Sequence, residues 1–228
     1  MDRYHIGTRL RGYPKNYIKA LSCEISKKFN LTGLEKKIVP HLTFIAPFET
    51  RNEKEVVNIF SRTLSKYSFS KFKFPIIYDI DGFGCFDNQE KVIYANIKSN
   101  EFIEEIVSDL KHSLNEQINY CDGNSFNESG INLHCTIVGK DVNPYYKDIM
   151  KFLDEQPFEK TKHPLFRVYL LKNSFILREY DFYLEKSLER FDAINPFVFD
   201  LTKEKFKAVT DYTINESGII LPKITINL

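Results

Sequence analysis

The chain has little surplus of either charge: 32 Lys and Arg stand against 31 Asp and Glu in 228 residues, a formal net charge of +1. That balance argues against a broad basic face for gripping long nucleic acid. It leaves room for a nucleotide or an RNA end held in a small pocket. No run of eighteen or more apolar residues occurs, so no membrane-spanning helix is expected. The opening MDRYHIGTRL lacks the apolar stretch of a secretion signal, and the expected location is cytoplasmic. There are only four cysteines, Cys23, Cys85, Cys121 and Cys135, and none forms a CxxC pair. They read as reduced thiols and not as a disulfide framework or a metal centre. No HExxH and no Asp/Glu-His cluster at ligand spacing is present, so neither a metal nor a cofactor is expected. Gly82-Phe83-Gly84 is followed by no Lys-Ser/Thr and opens no helix, so it is a bulge or turn and not a phosphate loop.

What is present is an ordinary globular composition, 43% apolar, in a length that suits one large domain or two lobes sharing a core. Residues 3–10 form a short strand. Pro14 opens a helix with Ile18, Leu21, Ile25 and Phe29 at helical spacing, ended by Asn30 and Gly33. A strand at 39–48 follows, then a Thr50/Glu53 capping box and a helix carrying Val56, Val57, Phe60 and Leu64. Alternation of Phe72, Phe74, Ile76, Tyr78 and Ile80 predicts a strand, with Pro75 marking an edge or bulge. A turn at Asp87, Asn88 and Gln89 leads to a partner strand at 91–97. The second half predicts a helix at 100–118, a loop at 121–130 and a strand at 131–138. A helix then starts at Asn143-Pro144, and a hairpin over 165–184 turns at Asn173 and Ser174.

Each half thus runs helix, strand, helix, hairpin, which reads as an internal duplication with lobes at about 1–98 and 99–185. Residues 186–228 stand outside it as an extension of unknown role. Each central strand carries the same pattern: His41-Leu42-Thr43-Phe44 and His134-Cys135-Thr136-Ile137. Because side chains alternate along a strand, His and Thr share one face and the apolar pair faces a core. Two such strands in one cleft would gather two imidazoles and two hydroxyls around one small volume. One neutral histidine can take a proton from an attacking water or ribose hydroxyl, and the other, protonated, can deliver one to the leaving oxygen. The threonine hydroxyls can donate to the non-bridging phosphate oxygens as charge builds there. Weaker candidates for substrate binding are Lys140, after the second motif; Arg178 and Tyr180, sharing one strand face; and Phe48, as a stacking platform. His5, His112 and His163 read as surface or structural residues.

PHLTF (40–44) and LHCTI (133–137), supported by GFGCF (82–86) and ILREYDF (176–182), resemble the two-histidine phosphoesterase superfamily, in particular its 2'-5' RNA ligase and cyclic phosphodiesterase branch. The resemblance covers about residues 1–185. It implies an α+β, bilobal fold with antiparallel sheets lining a central cleft and helices outside. It implies His41 and His134 as the acid–base pair, and Thr43 and Thr136 as phosphate binders. The implied activities are opening of RNA 2',3'-cyclic phosphates, cleavage of 2'-5' linkages, and the reverse 2'-5' ligation. Two alternatives stay open: a hydrolase of small cyclic nucleotides or 2'-5' oligoadenylates, and a non-catalytic nucleotide- or RNA-binding module.

Overall fold

A computed structural model describes residues 1–31, 39–86, 90–118, 133–139, 142–156, 160–215 and 220–223. In chain order the elements are β1 (Asp2–Arg9), α1 (Gly12–Lys28), β2 (His41–Thr50), α2 (Glu53–Ser65), α3 (Phe69–Phe72), β3 (Ile77–Phe86), β4 (Val92–Lys98), α4 (Glu101–Ile118) and β5 (His134–Val138). They continue with α5 (Tyr146–Asp154), β6 (Thr161–Pro164), β7 (Arg167–Lys172), β8 (Phe175–Asp181), β9 (Lys186–Glu189), α6 (Arg190–Ile194), α7 (Pro196–Val209), β10 (Tyr212–Ile214) and β11 (Ile220–Pro222). Among the described residues no helix is long and apolar enough to cross a membrane.

The fold is α+β, and among the described residues every strand pair is antiparallel. A five-stranded sheet runs β2-β1-β7-β8-β9, a four-stranded sheet runs β5-β4-β3-β6, and β10-β11 is a separate ribbon. Helices α2 and α4 lie against the first sheet, α1 and α5 against the second. Beneath the first sheet, Leu42, Phe44 and Ile45 of β2 share a buried core with Ile59 and Phe60 of α2 and Ile106 and Leu110 of α4.

The two chain halves are interleaved in the sheets. The first repeat places β2 and α2 in one lobe but its leading helix α1 and its hairpin β3-β4 in the other. The second repeat does the converse with β5 and α5 against α4 and the β7-β8 hairpin. The expected lobes at 1–98 and 99–185 are corrected by this: each sheet draws strands from both halves. The physical reason is that β2 pairs with β1, which pairs onward with β7, so the two chain halves are stitched by backbone hydrogen bonds.

Local expectations divide similarly. Pro14, Ile18, Leu21 and Ile25 are buried in α1, and Asn30, in left-handed backbone (φ 50°), ends the turn after it; Gly33 lies outside the described residues. Asn173 and Ser174 both take positive φ, the signature of the tight hairpin turn expected there. The strand expected from Phe72 does not start there. Residues 69–72 wind into α3, Lys73 turns left-handed (φ 58°), Phe74 is exposed, and β3 begins only at Ile77. A short apolar run fits either a strand or one buried helical turn, and the Phe69 amide bonding to the Phe182 carbonyl selects the turn. The capping box is also absent: Asn52 stands at the N-cap position of α2 without a side-chain capping bond, and the Thr50 hydroxyl accepts from the Asn52 amide. Asn143 does not cap α5, which starts at Tyr146; its side-chain oxygen instead accepts from the Lys91 amide. The turn at 87–89, the loop at 121–130 and residues 131–132 lie outside the described residues.

Candidate functional site

The two motif strands are the edge strands of their sheets, and they come together there. Both show the same burial: His and Thr half-buried, the residues between and after them fully buried. The His41 backbone N–H lies against the Cys135 sulfur, and burial pushes that thiol up to about 12. Cys135 is therefore a packed neutral thiol joining the two strands and not a nucleophile.

A cavity of about 660 Å³ opens at this junction and is lined by His41 of the first motif and Thr136 of the second. Further lining comes from His5, Arg9, Tyr169, Phe175, Arg190 and Ile194. His41 Nδ1 lies 2.8 Å from the Val39 carbonyl. A carbonyl only accepts, so Nδ1 carries the proton and the Nε2 lone pair is left for chemistry. His134 projects from the same face of β5 as Thr136 two residues on. Its ring packs edge-on to Phe86 at 4.7 Å and lies 5.4 Å from Tyr94. Gly84 makes this possible: a Cβ there would meet the Tyr94 ring at 2.7 Å. The GFGCF stretch thus supplies the register shift expected of it and also seats the second histidine.

Thr43 and His134 do not line the cavity itself. Thr43 sits behind His5, whose Nε2 lies 3.1 Å from the Thr43 hydroxyl. The His5 ring is also 5.8 Å from His41 and 5.6 Å from Tyr169. Burial first, then the neighbouring His41 and Arg3, lowers the His5 pKa to about 4, so it is neutral near pH 7. Of the four expected residues, His41 and Thr136 line the cavity, His134 lies two residues from Thr136 on the same face of β5, and the Thr43 hydroxyl is within hydrogen-bond distance of His5.

The weaker candidates fall elsewhere. Phe48 is buried and stacked on Tyr4, 5.7 Å between centroids, so it is core. Tyr180 is buried, and its hydroxyl is 2.5 Å from that of Ser68. Arg178 pairs with Glu189 at 3.1 Å and bonds the Leu177 carbonyl. Lys140 lies outside the described residues. The alternation read into β8 is right, but the informative face is the other one. Glu179, opposite Tyr169, takes Arg9, Arg11 and Arg167, while Asp181 takes Arg167 at 2.6 Å. His163, read as a surface or structural residue, is buried and accepts the Arg11 amide at 3.0 Å, a structural role.

The extension is part of this assembly. β9 adds to β8. Arg167 donates to the Ala193 and Val198 carbonyls and to the Thr202 hydroxyl, at 3.2, 3.1 and 2.7 Å. This anchors α6 and α7 and brings Arg190 and Ile194 to the cavity wall. Nothing in the sequence of 186–228 alone announces that role. Among the described residues, no group of three or more His, Cys, Asp or Glu is placed to hold a metal ion.

Residues 15–173 match the 2'-5' RNA ligase superfamily. A search of curated proteins finds none that matches the chain. Similar solved structures include TT0787 of Thermus thermophilus, 12% identical over 79% of this chain and 97% of that one, with a TM-score of 0.47. Kluyveromyces marxianus Usb1 with uridine monophosphate is 9% identical over 82% and 98%, with a TM-score of 0.40.

Proposed function

Because the chain belongs to the 2'-5' RNA ligase superfamily, we propose that it is a phosphodiesterase in which His41 and His134 act as an acid–base pair on RNA 2',3'-cyclic phosphate ends or 2'-5' linkages. The observation that carries this reading is that His41 and Thr136, from two separate copies of the motif, line one cavity. In the hydrolytic direction water attacks phosphorus, and one neutral imidazole takes a water proton. The bond from phosphorus to the 3' oxygen breaks, and the other imidazole, protonated, gives its proton to that oxygen. The products are a 2'-phosphate and a 3'-hydroxyl. The Val39 carbonyl fixes the His41 tautomer that suits either half of this exchange. In this reading the Thr136 hydroxyl donates to a non-bridging oxygen. With a 5'-hydroxyl in place of water as the attacking group, the same two proton transfers operate: the bond from phosphorus to the 3' oxygen breaks, and the ends are joined through a 2'-5' bond. Acid–base transfer between imidazoles requires no metal.

A cavity of about 660 Å³ also accommodates a small cyclic nucleotide, which keeps that substrate as the second reading. The test is hydrolysis, in EDTA, of an oligonucleotide ending in a 2',3'-cyclic phosphate. Wild type is expected to yield the 2'-phosphate, and His41→Ala and His134→Ala each to lose about 10²- to 10⁴-fold in rate. Undiminished turnover in either variant rejects the acid–base pair; turnover that requires added metal rejects the mechanism.

A further inference from the structure

The cavity beside His41 continues past its own walls. A neighbouring cavity of about 250 Å³ shares Arg9 and Val39 with it and adds Arg11, Gly12, Lys15 and Phe199. A third, of about 400 Å³, shares Arg9 and Ile194 and adds Asn195, Asp200 and Lys203. The three cavities adjoin at Arg9, and the charge around them is positive. Arg9, Arg11 and Arg167 converge on Glu179 and Asp181, three cations on two anions. Lys203 is offset by Asp200 at 2.5 Å. Lys15 stands exposed in the first turn of α1, which carries no acidic residue and no side-chain cap, so the helix end adds positive potential. Arg11 is fixed in place with its guanidinium 3.9 Å over the Phe199 ring. Burial lowers its pKa to about 10, which leaves it cationic near neutral pH.

In a chain whose whole net charge is +1, this local surplus lies around adjoining cavities. One wall of these cavities, residues 193–203, comes from α6 and α7, beyond the residues 15–173 that match the superfamily. An isolated pocket suits a lone cyclic nucleotide. A basic groove running on from the reacting phosphate suits a polymer with another phosphate one step along.

We propose that the groove from Arg9 to Arg11 and Lys15 holds a second phosphate of a single-stranded oligonucleotide, so that the substrate is a nucleic-acid end and not a mononucleotide. The inference rests on the phosphodiesterase reading for the reacting phosphate. The C-terminal segment is then a selectivity element: α7 supplies Phe199, which holds Arg11 for that phosphate.

Two measurements test it. In the first, kcat/KM is compared for a nucleoside 2',3'-cyclic phosphate and a hexanucleotide with the same end. The hexanucleotide is expected to be favoured by about tenfold or more, remote binding energy being expressed at the reacting centre. Lys15→Glu should bring the ratio towards one, whereas Lys54→Glu on α2, outside the groove, should leave it unchanged. A ratio near one in wild type, or one insensitive to Lys15→Glu, overturns the proposal. In the second, a labelled hexanucleotide is titrated into the His134→Ala protein across a salt series. Lys15→Glu should weaken binding and flatten the slope of log K against log salt by about 0.7, the value for one phosphate of a single strand. If neither substrate turns over, the phosphodiesterase reading fails, and this titration still decides the groove. A hexanucleotide bound no more tightly than a mononucleotide overturns it.

Discussion

Thr43 and Thr136 occupy equivalent places in two copies of one motif, yet their surroundings differ. Thr136 lines the cavity with His41, while the Thr43 hydroxyl lies 3.1 Å from His5, a histidine kept neutral near pH 7 by burial. Thr136→Val keeps the shape of the side chain and removes the donor. It is expected to lower kcat about 10²-fold, in line with loss of one donor to developing charge. Thr43→Val should cost less, because its hydroxyl is shared with His5. Equal kcat for Thr136→Val and wild type would remove that threonine from the chemistry. The four motif residues were legible in the sequence because a period of two and a repeated pattern are local. His5, Arg9 and Tyr169 were not, since each reaches the cavity through cross-strand pairing of β1 with β2 and β7, which no local pattern encodes.

Strand order, more than strand content, builds the site. Most strands and helices were readable from periodicity, but the sequence halves gave no sign that the repeats exchange their helices and hairpins. That exchange depends on β1, a strand outside the repeat, bridging β2 to β7. Its narrowest point is Gly7, opposite Thr43 on one side and Tyr169 on the other. A Cβ at Gly7 would lie 2.2 Å from the Leu42 carbonyl oxygen and 2.7 Å from the Tyr169 hydroxyl. The first contact is with backbone, so β2 must shift and carry His41 with it. Gly7→Ala is expected to cost about 1–3 kcal/mol, the usual range for overpacking, and to lower activity by more than the loss of stability explains. Denaturant midpoints and activity at a temperature well below unfolding separate the two effects. An unchanged midpoint would contradict the packing described here.

Across the whole molecule, a buried charged cluster joins the superfamily domain to the extension. Arg167, Glu179 and Asp181 are almost fully buried, and Thr202 of α7 completes their bonding by accepting from Arg167 at 2.7 Å and donating to Asp181 at 2.6 Å. Buried charges stripped of a partner are costly. Thr202→Val is therefore expected to lower stability by about 1–3 kcal/mol, and a midpoint shift under urea reads it directly. A neutral result would mean that the extension is docked without the Thr202 hydroxyl, by β9 pairing, the Arg167 bonds to the Ala193 and Val198 carbonyls, and Phe206 against Phe166 and Tyr183. The same docking carries Arg190 and Ile194 to the cavity, so the site belongs to the assembled chain and not to its first 185 residues. The most direct test of the central claim is the pH profile of kcat/KM for a 2',3'-cyclic phosphate substrate in EDTA, in wild type and in the two alanine variants. A bell-shaped profile, with one limb lost on His41→Ala and the opposite limb on His134→Ala, is the predicted result for one base and one acid. A profile whose two limbs both survive either substitution would contradict it.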